Sequence, residues 1–118
     1  MTRIFEKCKH LASKSDHQHF KFGAVVTDGN KVVSCGYNTN RTHPKSPTPW
    51  QTRHAEVDAI LKLKGRTGTC IYVLRYMQNG SYGNAKPCND CMNFIRKNGI
   101  KFIIYTMNDG IWSMNLVA

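Results

Sequence analysis

The sequence predicts a single α/β domain in which strands alternate with helices in layers. Short strand-like apolar runs are separated by segments with helical periodicity. The chain has 118 residues, 41% of them apolar, which is enough for one domain with a buried core. In addition, two short motifs rich in His, Cys and Glu stand where helices are predicted to begin. We therefore expect one domain over residues 1–118.

The first predicted element is an amphipathic helix over residues 2–13. Its apolar side chains follow helical spacing at Ile4, Phe5, Cys8, Leu11 and Ala12. Residues 1–20 lack the continuous apolar run of a secretion signal, so we expect an intracellular, cytoplasmic protein. The unbroken apolar runs, such as residues 70–74 and 102–105, are far too short to span a membrane, so no membrane-spanning helix is predicted.

Two strands are predicted next, over residues 22–27 and 31–37. Asp28-Gly29-Asn30 between them is a strong signal for a hairpin turn. Residues 38–53 contain three prolines and many polar side chains, so we expect a loop there.

The second half of the chain is predicted to alternate between helices and strands. The expected elements are a helix over 54–64 that stops at Gly65, a strand over 69–76, a loop over 77–87, a helix over 88–98 capped by Gly99, and a strand over 101–106. Asn108-Asp109-Gly110 then turns the chain into a short tail that can add a fifth strand.

The two motifs are His54-Ala55-Glu56 and Pro87-Cys88-Asn89-Asp90-Cys91. Residues two apart on a helix point about 200° away from each other, so His54 and Glu56 converge on one ion only at a helix N-terminus. Cys88 and Cys91 are three apart and share a helix face. His54, Cys88 and Cys91 therefore predict a Zn²⁺ site. Three protein ligands with an open fourth position are typical of catalytic zinc.

Glu56 is the predicted catalytic residue. It lies in register with Ala59, Ile60 and Leu63, the stripe expected to face the core. A buried carboxylate is unfavourable unless it is paired or functional, and burial raises its pKa towards the range that suits an acid/base catalyst. The alternative is a Glu that bends out to solvent in the first turn of the helix.

The cysteines also allow other interpretations. Five cysteines are an odd number, which favours free thiols over a disulfide framework. Cys88 and Cys91 would then be packed core residues or a redox pair, although nothing else in the chain suggests a thioredoxin-like unit. A closed structural zinc site would need a fourth ligand. Its candidates, none of them at paired spacing with the motifs, are His10, His17, His19 and His43.

With these motifs in this order, H-x-E and P-C-x-x-C, the chain resembles the cytidine and deoxycytidylate deaminase superfamily, which also contains tRNA adenosine deaminases. The likeness runs from about Phe22 to Thr106 and includes Gly36-Tyr37-Asn38 after the second strand. It implies a three-layer α/β/α sandwich with a mixed five-stranded sheet. It also implies zinc binding by His54, Cys88 and Cys91, proton transfer by Glu56, a base or sugar contact by Asn38, and a backbone contact to the base at Ala55.

Within this superfamily the chain looks most similar to the deoxycytidylate deaminases, so the expected substrate is a small cytosine nucleotide or nucleoside, above all dCMP. Four basic residues near the expected pocket could hold a 5′-phosphate. The alternative interpretation is that they are solvated loop charges. They are Arg41, Lys45, Arg53 and Lys86. The loop before His54 lacks the extra Cys and His ligands often found in deoxycytidylate deaminases, and the chain ends soon after the fourth strand.

The net charge of +10 leaves a nucleic-acid partner open. One alternative function is a polynucleotide deaminase acting on tRNA adenosine or single-stranded DNA cytosine, with Trp50, Tyr76 and Tyr82 as stacking residues. Another is a non-catalytic, zinc-stabilised nucleic-acid-binding module, although Glu56 would have no use there. Relatives of this kind commonly assemble, so we also expect a homo-oligomer.

Overall fold

The computed structural model describes residues 2–15, 21–39, 54–77, 80–108 and 112–116. In these ranges the chain forms three helices, which are α1 (Thr2–Ser13), α2 (Ala55–Leu61) and α3 (Asn89–Lys97). The strands are β1 (Lys21–Asp28), β2 (Lys31–Tyr37), β3 (Cys70–Tyr76), β4 (Tyr82–Gly83), β5 (Phe102–Thr106) and β6 (Trp112–Leu116). None of the helices in the described ranges is long and apolar enough to cross a bilayer.

All strands belong to one mixed sheet in the order β2-β1-β3-β5-β6, with β4 paired to β3. Only β3 and β5 run parallel among these pairs, and α3 lies in the connection between them. β6 pairs antiparallel with β5, so the expected fifth strand in the tail is confirmed. The predicted loop over 77–87 contains the short strand β4. This strand was not predicted, because two residues are too few to show a side-chain pattern and β4 is defined by its backbone pairing with the end of β3.

The hairpin between β1 and β2 forms as predicted. Asp28 pairs with Lys31, which leaves Gly29 and Asn30 as the two-residue turn. Gly29 has a φ of 63°. A positive φ at the first central position of a two-residue hairpin is where glycine is favoured, since it has no β-carbon to clash.

The sheet separates two apolar layers, because successive strand residues point to opposite faces. Val25 and Leu74 face α1, where they pack with Cys8, Leu11 and Ala12. The predicted stacking residues Tyr76 and Tyr82 pack against this layer, with ring centroids 5.6 Å apart. Trp50 lies outside the described residues.

The opposite face of the sheet carries α2 and α3. Its core is formed by residues that alternate with those of the first layer, among them Ala24, Val26, Val73, Ile95 and Ile103. The three-layer α/β/α arrangement is therefore confirmed. α2 is shorter than predicted, and every residue of 55–60 is buried rather than one stripe alone. The reason is that α2 contacts both the sheet and α3.

α2 packs directly on the backbone of β2 at Gly36. A β-carbon on Gly36 would lie 2.5 Å from the Ala59 nitrogen and 2.8 Å from the Ala55 oxygen. Both distances are far below ordinary van der Waals contact, so only glycine permits this approach. The contact fixes the first turn of α2 against the sheet, and Ser34 on the same strand donates a hydrogen bond to the Ala59 carbonyl oxygen.

We predict that Gly36→Ala lowers the free energy of unfolding by about 1–3 kcal/mol, because the added methyl group forces the helix and strand apart. Chemical denaturation measures this change. Val32→Ala serves as the control, since Val32 lies on the same strand and is exposed. A loss in Gly36→Ala no larger than in the control would contradict the close packing.

Candidate active site

In each motif, the first residue with a metal-binding side chain stands immediately before a helix. His54 is the N-cap of α2, with φ −70° and ψ 151°. Cys88 is the N-cap of α3, with φ −68° and ψ 170°. Both residues thus stand at helix starts, where the first backbone N–H groups lack partners within the helix and the helix dipole favours anionic groups. The prediction that both motifs lie at helix starts is confirmed. His54 and Cys88 each stand one position before the first helical residue.

The contact between α2 and α3 brings the predicted metal ligands together. The donor atoms of His54, Cys88 and Cys91 all lie within 4.8 Å of one another. The Nδ1 atom of His54 lies 3.1 Å from Cys91 Sγ, so Nδ1 is the ring nitrogen that faces the cluster. Ligand atoms at about 2.0–2.3 Å from a tetrahedral zinc ion lie roughly 3.3–3.8 Å apart, so small side-chain adjustments would bring these donor atoms around one ion. The distances and the nitrogen-and-sulfur donor set therefore fit zinc.

The electrostatics of the cluster also favour a cation. Burial, followed by the negative charges of Glu56 and Cys88, raises the pKa of the Cys91 thiol. Burial lowers the pKa of His54 and so favours the neutral imidazole that binds metals. Thiolates crowded beside a carboxylate disfavour each other's ionised forms, and a divalent cation supplies the positive charge that stabilises them.

Glu56 is buried, as its helical register predicted, and does not bend out to solvent. Its Oε1 atom lies 3.8 Å from His54 Nδ1, so the carboxylate borders the metal ligands. Burial raises the pKa of Glu56 to about 7. A carboxyl group that takes up and releases a proton near neutral pH suits an acid/base role.

The predicted substrate-contacting residues are placed unevenly. Asn38 follows β2 and is buried, and its Oδ1 atom accepts a hydrogen bond of 2.8 Å from the Phe22 backbone nitrogen. Ala55 is buried between the two functional residues of the first motif. Lys86 is exposed, two residues before Cys88. The other predicted phosphate contacts, Arg41, Lys45 and Arg53, lie outside the described residues.

Of the candidate fourth metal ligands, only His10 lies in the described part of the chain, and His10 is not part of the cluster. His10 belongs to α1, which packs on the opposite face of the sheet from α2 and α3. His17, His19 and His43 lie outside the described residues. In the described part of the chain, the site thus has the three protein ligands of a catalytic zinc centre.

Asp58 is a supporting residue that the sequence reasoning missed. It is buried in α2, and its Oδ2 atom accepts hydrogen bonds from the Tyr37 backbone nitrogen at 3.2 Å and from Lys62 Nζ at 2.9 Å. It thereby joins the end of β2 to the helix that begins with the metal-binding motif. The Asp58–Lys62 spacing of four residues is a visible sequence signal for the ion pair, but not for the contact with β2.

Comparisons with known proteins agree with this site. The family model for the cytidine and deoxycytidylate deaminase zinc-binding region matches residues 1–107. A search of curated protein sequences found no match.

Solved structures share the fold at low sequence identity. A cytidine deaminase from Burkholderia pseudomallei is 18% identical with a TM-score of 0.73, covering 98% of this chain and 91% of that one. A dCMP deaminase from cyanophage S-TIM5 is 20% identical with a TM-score of 0.61, covering 93% and 85%. The same phage enzyme in complex with dCMP and dUMP is 17% identical with a TM-score of 0.61, covering 90% and 79%.

The match over nearly the whole chain, together with a three-ligand cluster that fits zinc beside a buried glutamate, leads to one conclusion. The chain belongs to the cytidine and deoxycytidylate deaminase family and is a zinc-dependent hydrolytic deaminase.

Proposed function

We propose that the protein converts dCMP to dUMP with release of ammonia. The observation that carries the chemistry is the buried carboxylate of Glu56 beside the three metal ligands. The preference for a nucleotide is supported by the net charge of +10, which attracts phosphorylated ligands. It is also supported by the similarity to a phage enzyme whose structure contains dCMP and dUMP.

His54, Cys88 and Cys91 would hold the zinc ion. When bound, zinc lowers the pKa of a coordinated water to about 7, which makes a nucleophile available at neutral pH. The contribution of the protein is to hold the three ligands on two helix starts, so that the fourth position stays open to water and substrate.

Glu56 is the proposed proton carrier. Its carboxylate accepts a proton from the attacking water and passes it to the ring nitrogen of cytosine. The water oxygen bonds to the carbon that bears the amino group. Glu56 then takes the remaining proton from that oxygen and delivers it to the amino group, so that the carbon–nitrogen bond breaks, ammonia leaves and the oxygen becomes the carbonyl of uracil. Burial keeps this carboxyl group away from bulk water, and its raised pKa matches a group that must both accept and donate.

The substrate is proposed to be held where β2 ends and α2 begins. Asn38 would contact the base or sugar, and the Ala55 backbone would contact the polar edge of the base. The hydrogen bond from the Phe22 backbone nitrogen to Asn38 Oδ1 holds the Asn38 side chain in a defined orientation. Lys86 is proposed to add positive charge at the mouth of the site, as are Arg41, Lys45 and Arg53. A homo-oligomer and a cytoplasmic location remain predictions.

We predict that Glu56→Gln retains zinc but loses activity by roughly 10²–10⁴-fold, because the amide cannot transfer protons. Ammonia release and zinc content are measured on the same samples. Glu6→Gln is the matched control, since Glu6 is exposed on α1 in the opposite layer. Activity of Glu56→Gln close to that of Glu6→Gln would refute the assignment of Glu56 as the proton carrier.

Removal of the metal tests the ligand assignment. We expect a chelator to abolish deamination and added zinc to restore it, because three ligands create the site. Cys91→Ala should reduce zinc content from about one ion per chain to a small fraction of that value, since it removes one of three protein ligands. Cys70→Ala is the control, because Cys70 lies on β3 outside the cluster. Equal zinc content in the two variants would refute the ligand set.

The substrate is tested by incubating the zinc-loaded protein with dCMP, deoxycytidine, cytosine, single-stranded DNA and an adenosine-containing tRNA loop. We expect turnover of the mononucleotide above all others. Activity confined to the polymers would favour the polynucleotide deaminase instead. Salt-sensitive binding of the polymers without turnover of any substrate would favour the non-catalytic module.

A further inference from the structure

Arg75 is a cation on the same face of the sheet as α2 and α3. It lies near the end of β3, directly opposite Phe22 of β1 in the antiparallel pairing. Its guanidinium carbon lies 5.7 Å from the centroid of the Phe22 ring. Both residues continue the alternation of Val73 and Ala24, which belong to the core beneath α2 and α3.

Hydrogen bonds and one close backbone contact connect the neighbourhood of this cation to the metal-binding end of the sheet. The backbone nitrogen of Phe22 donates a hydrogen bond to Asn38 Oδ1, and the nitrogen of Asn38 donates one to the Phe22 oxygen. Two residues earlier, Gly36 lies against the backbone of Ala55, whose neighbours in sequence are His54 and Glu56. Arg75 therefore contacts Phe22, and the Phe22 backbone is hydrogen-bonded to Asn38, the residue proposed to contact the base or sugar.

The position of Arg75 is fixed by its surroundings. Its backbone nitrogen donates a hydrogen bond of 3.2 Å to Thr106 Oγ1, which itself donates one of 2.8 Å to the Gly83 oxygen. A β-carbon on Gly83 would lie 2.9 Å from Arg75 Cδ, so the glycine of β4 leaves the space that the side chain occupies. The Nε atom is buried. A cation held on a strand in this way is positioned more accurately than one on a loop.

We propose that Arg75 binds the 5′-phosphate of the substrate and so selects a mononucleotide over a nucleoside. This inference rests on the proposed function. A guanidinium group presents five N–H donors in a planar fork that matches phosphate oxygens, so it can bind a phosphate while it keeps other contacts. Arg75 would act together with the exposed Lys86, which adds charge without such a defined geometry.

The test compares initial rates on dCMP and deoxycytidine for the wild type and for Arg75→Gln, with zinc content measured in parallel. We expect Arg75→Gln to raise KM for dCMP about 10–100-fold, the loss typical of a charge-assisted hydrogen bond. Both kinetic constants for deoxycytidine should stay unchanged. Arg66→Gln is the matched control, because Arg66 is exposed beyond the far end of α2 and should leave both substrates unaffected.

Each outcome decides the role of Arg75. An unchanged KM for dCMP in Arg75→Gln would overturn the inference while dCMP turnover by the wild type upholds the proposed function. An equal loss for both substrates would show a structural role only. Wild-type turnover of deoxycytidine without turnover of dCMP would refute both the proposed substrate and the role of Arg75.

A second variant covers the case in which Arg75→Gln does not fold. Arg75→Lys keeps the charge but loses the planar fork, so we expect a KM for dCMP several-fold above the wild-type value with deoxycytidine unchanged. Inorganic phosphate should also compete with dCMP but not with deoxycytidine. Wild-type KM for dCMP in Arg75→Lys, or no competition by phosphate, would contradict phosphate binding at this position.

Discussion

The direct packing of α2 on the backbone of β2 is the constraint on which the site depends. Gly36 allows the carbonyl of Ala55 and the nitrogen of Ala59 to approach the strand more closely than any side chain would permit. Asp58 reinforces this contact through the Tyr37 backbone nitrogen. Because the helix begins at His54, fixing its first turn also fixes one metal ligand and the carboxylate beside it. α3 then needs only to contact α2 to bring its two cysteines into reach.

The chemistry of the site follows from burial. Glu56 and Cys91 are both buried, and each would be unfavourable there as an isolated anion. A bound metal ion would stabilise the thiolates by coordinating them. The same burial raises the pKa of Glu56 to about 7. One structural condition, the burial of Glu56 and Cys91 at two adjoining helix starts, therefore favours both metal binding and proton transfer.

Much of the fold could be predicted because its signals are local. Helical spacing identified α1, and Asp28-Gly29-Asn30 identified the β1–β2 hairpin through the backbone conformation that its turn requires. The short strand β4 escaped prediction because it is defined by backbone pairing with β3. The complete burial of residues 55–60 also escaped prediction, since it results from contacts of α2 with both the sheet and α3.

The sequence by itself determined the reaction class, because two motifs with the spacing of metal ligands at helix starts have few other uses. It also indicated that Glu56 would be buried, since Glu56 follows the apolar register of its helix, but it did not indicate the burial of Asp58. Only the tertiary structure decided that Nδ1 of His54 faces Cys91 and that Asp58 braces the helix. The position of Arg75 beside Phe22 was decided in the same way. These relations join residues that lie far apart along the chain, and cross-strand register and helix packing create them without leaving a local pattern.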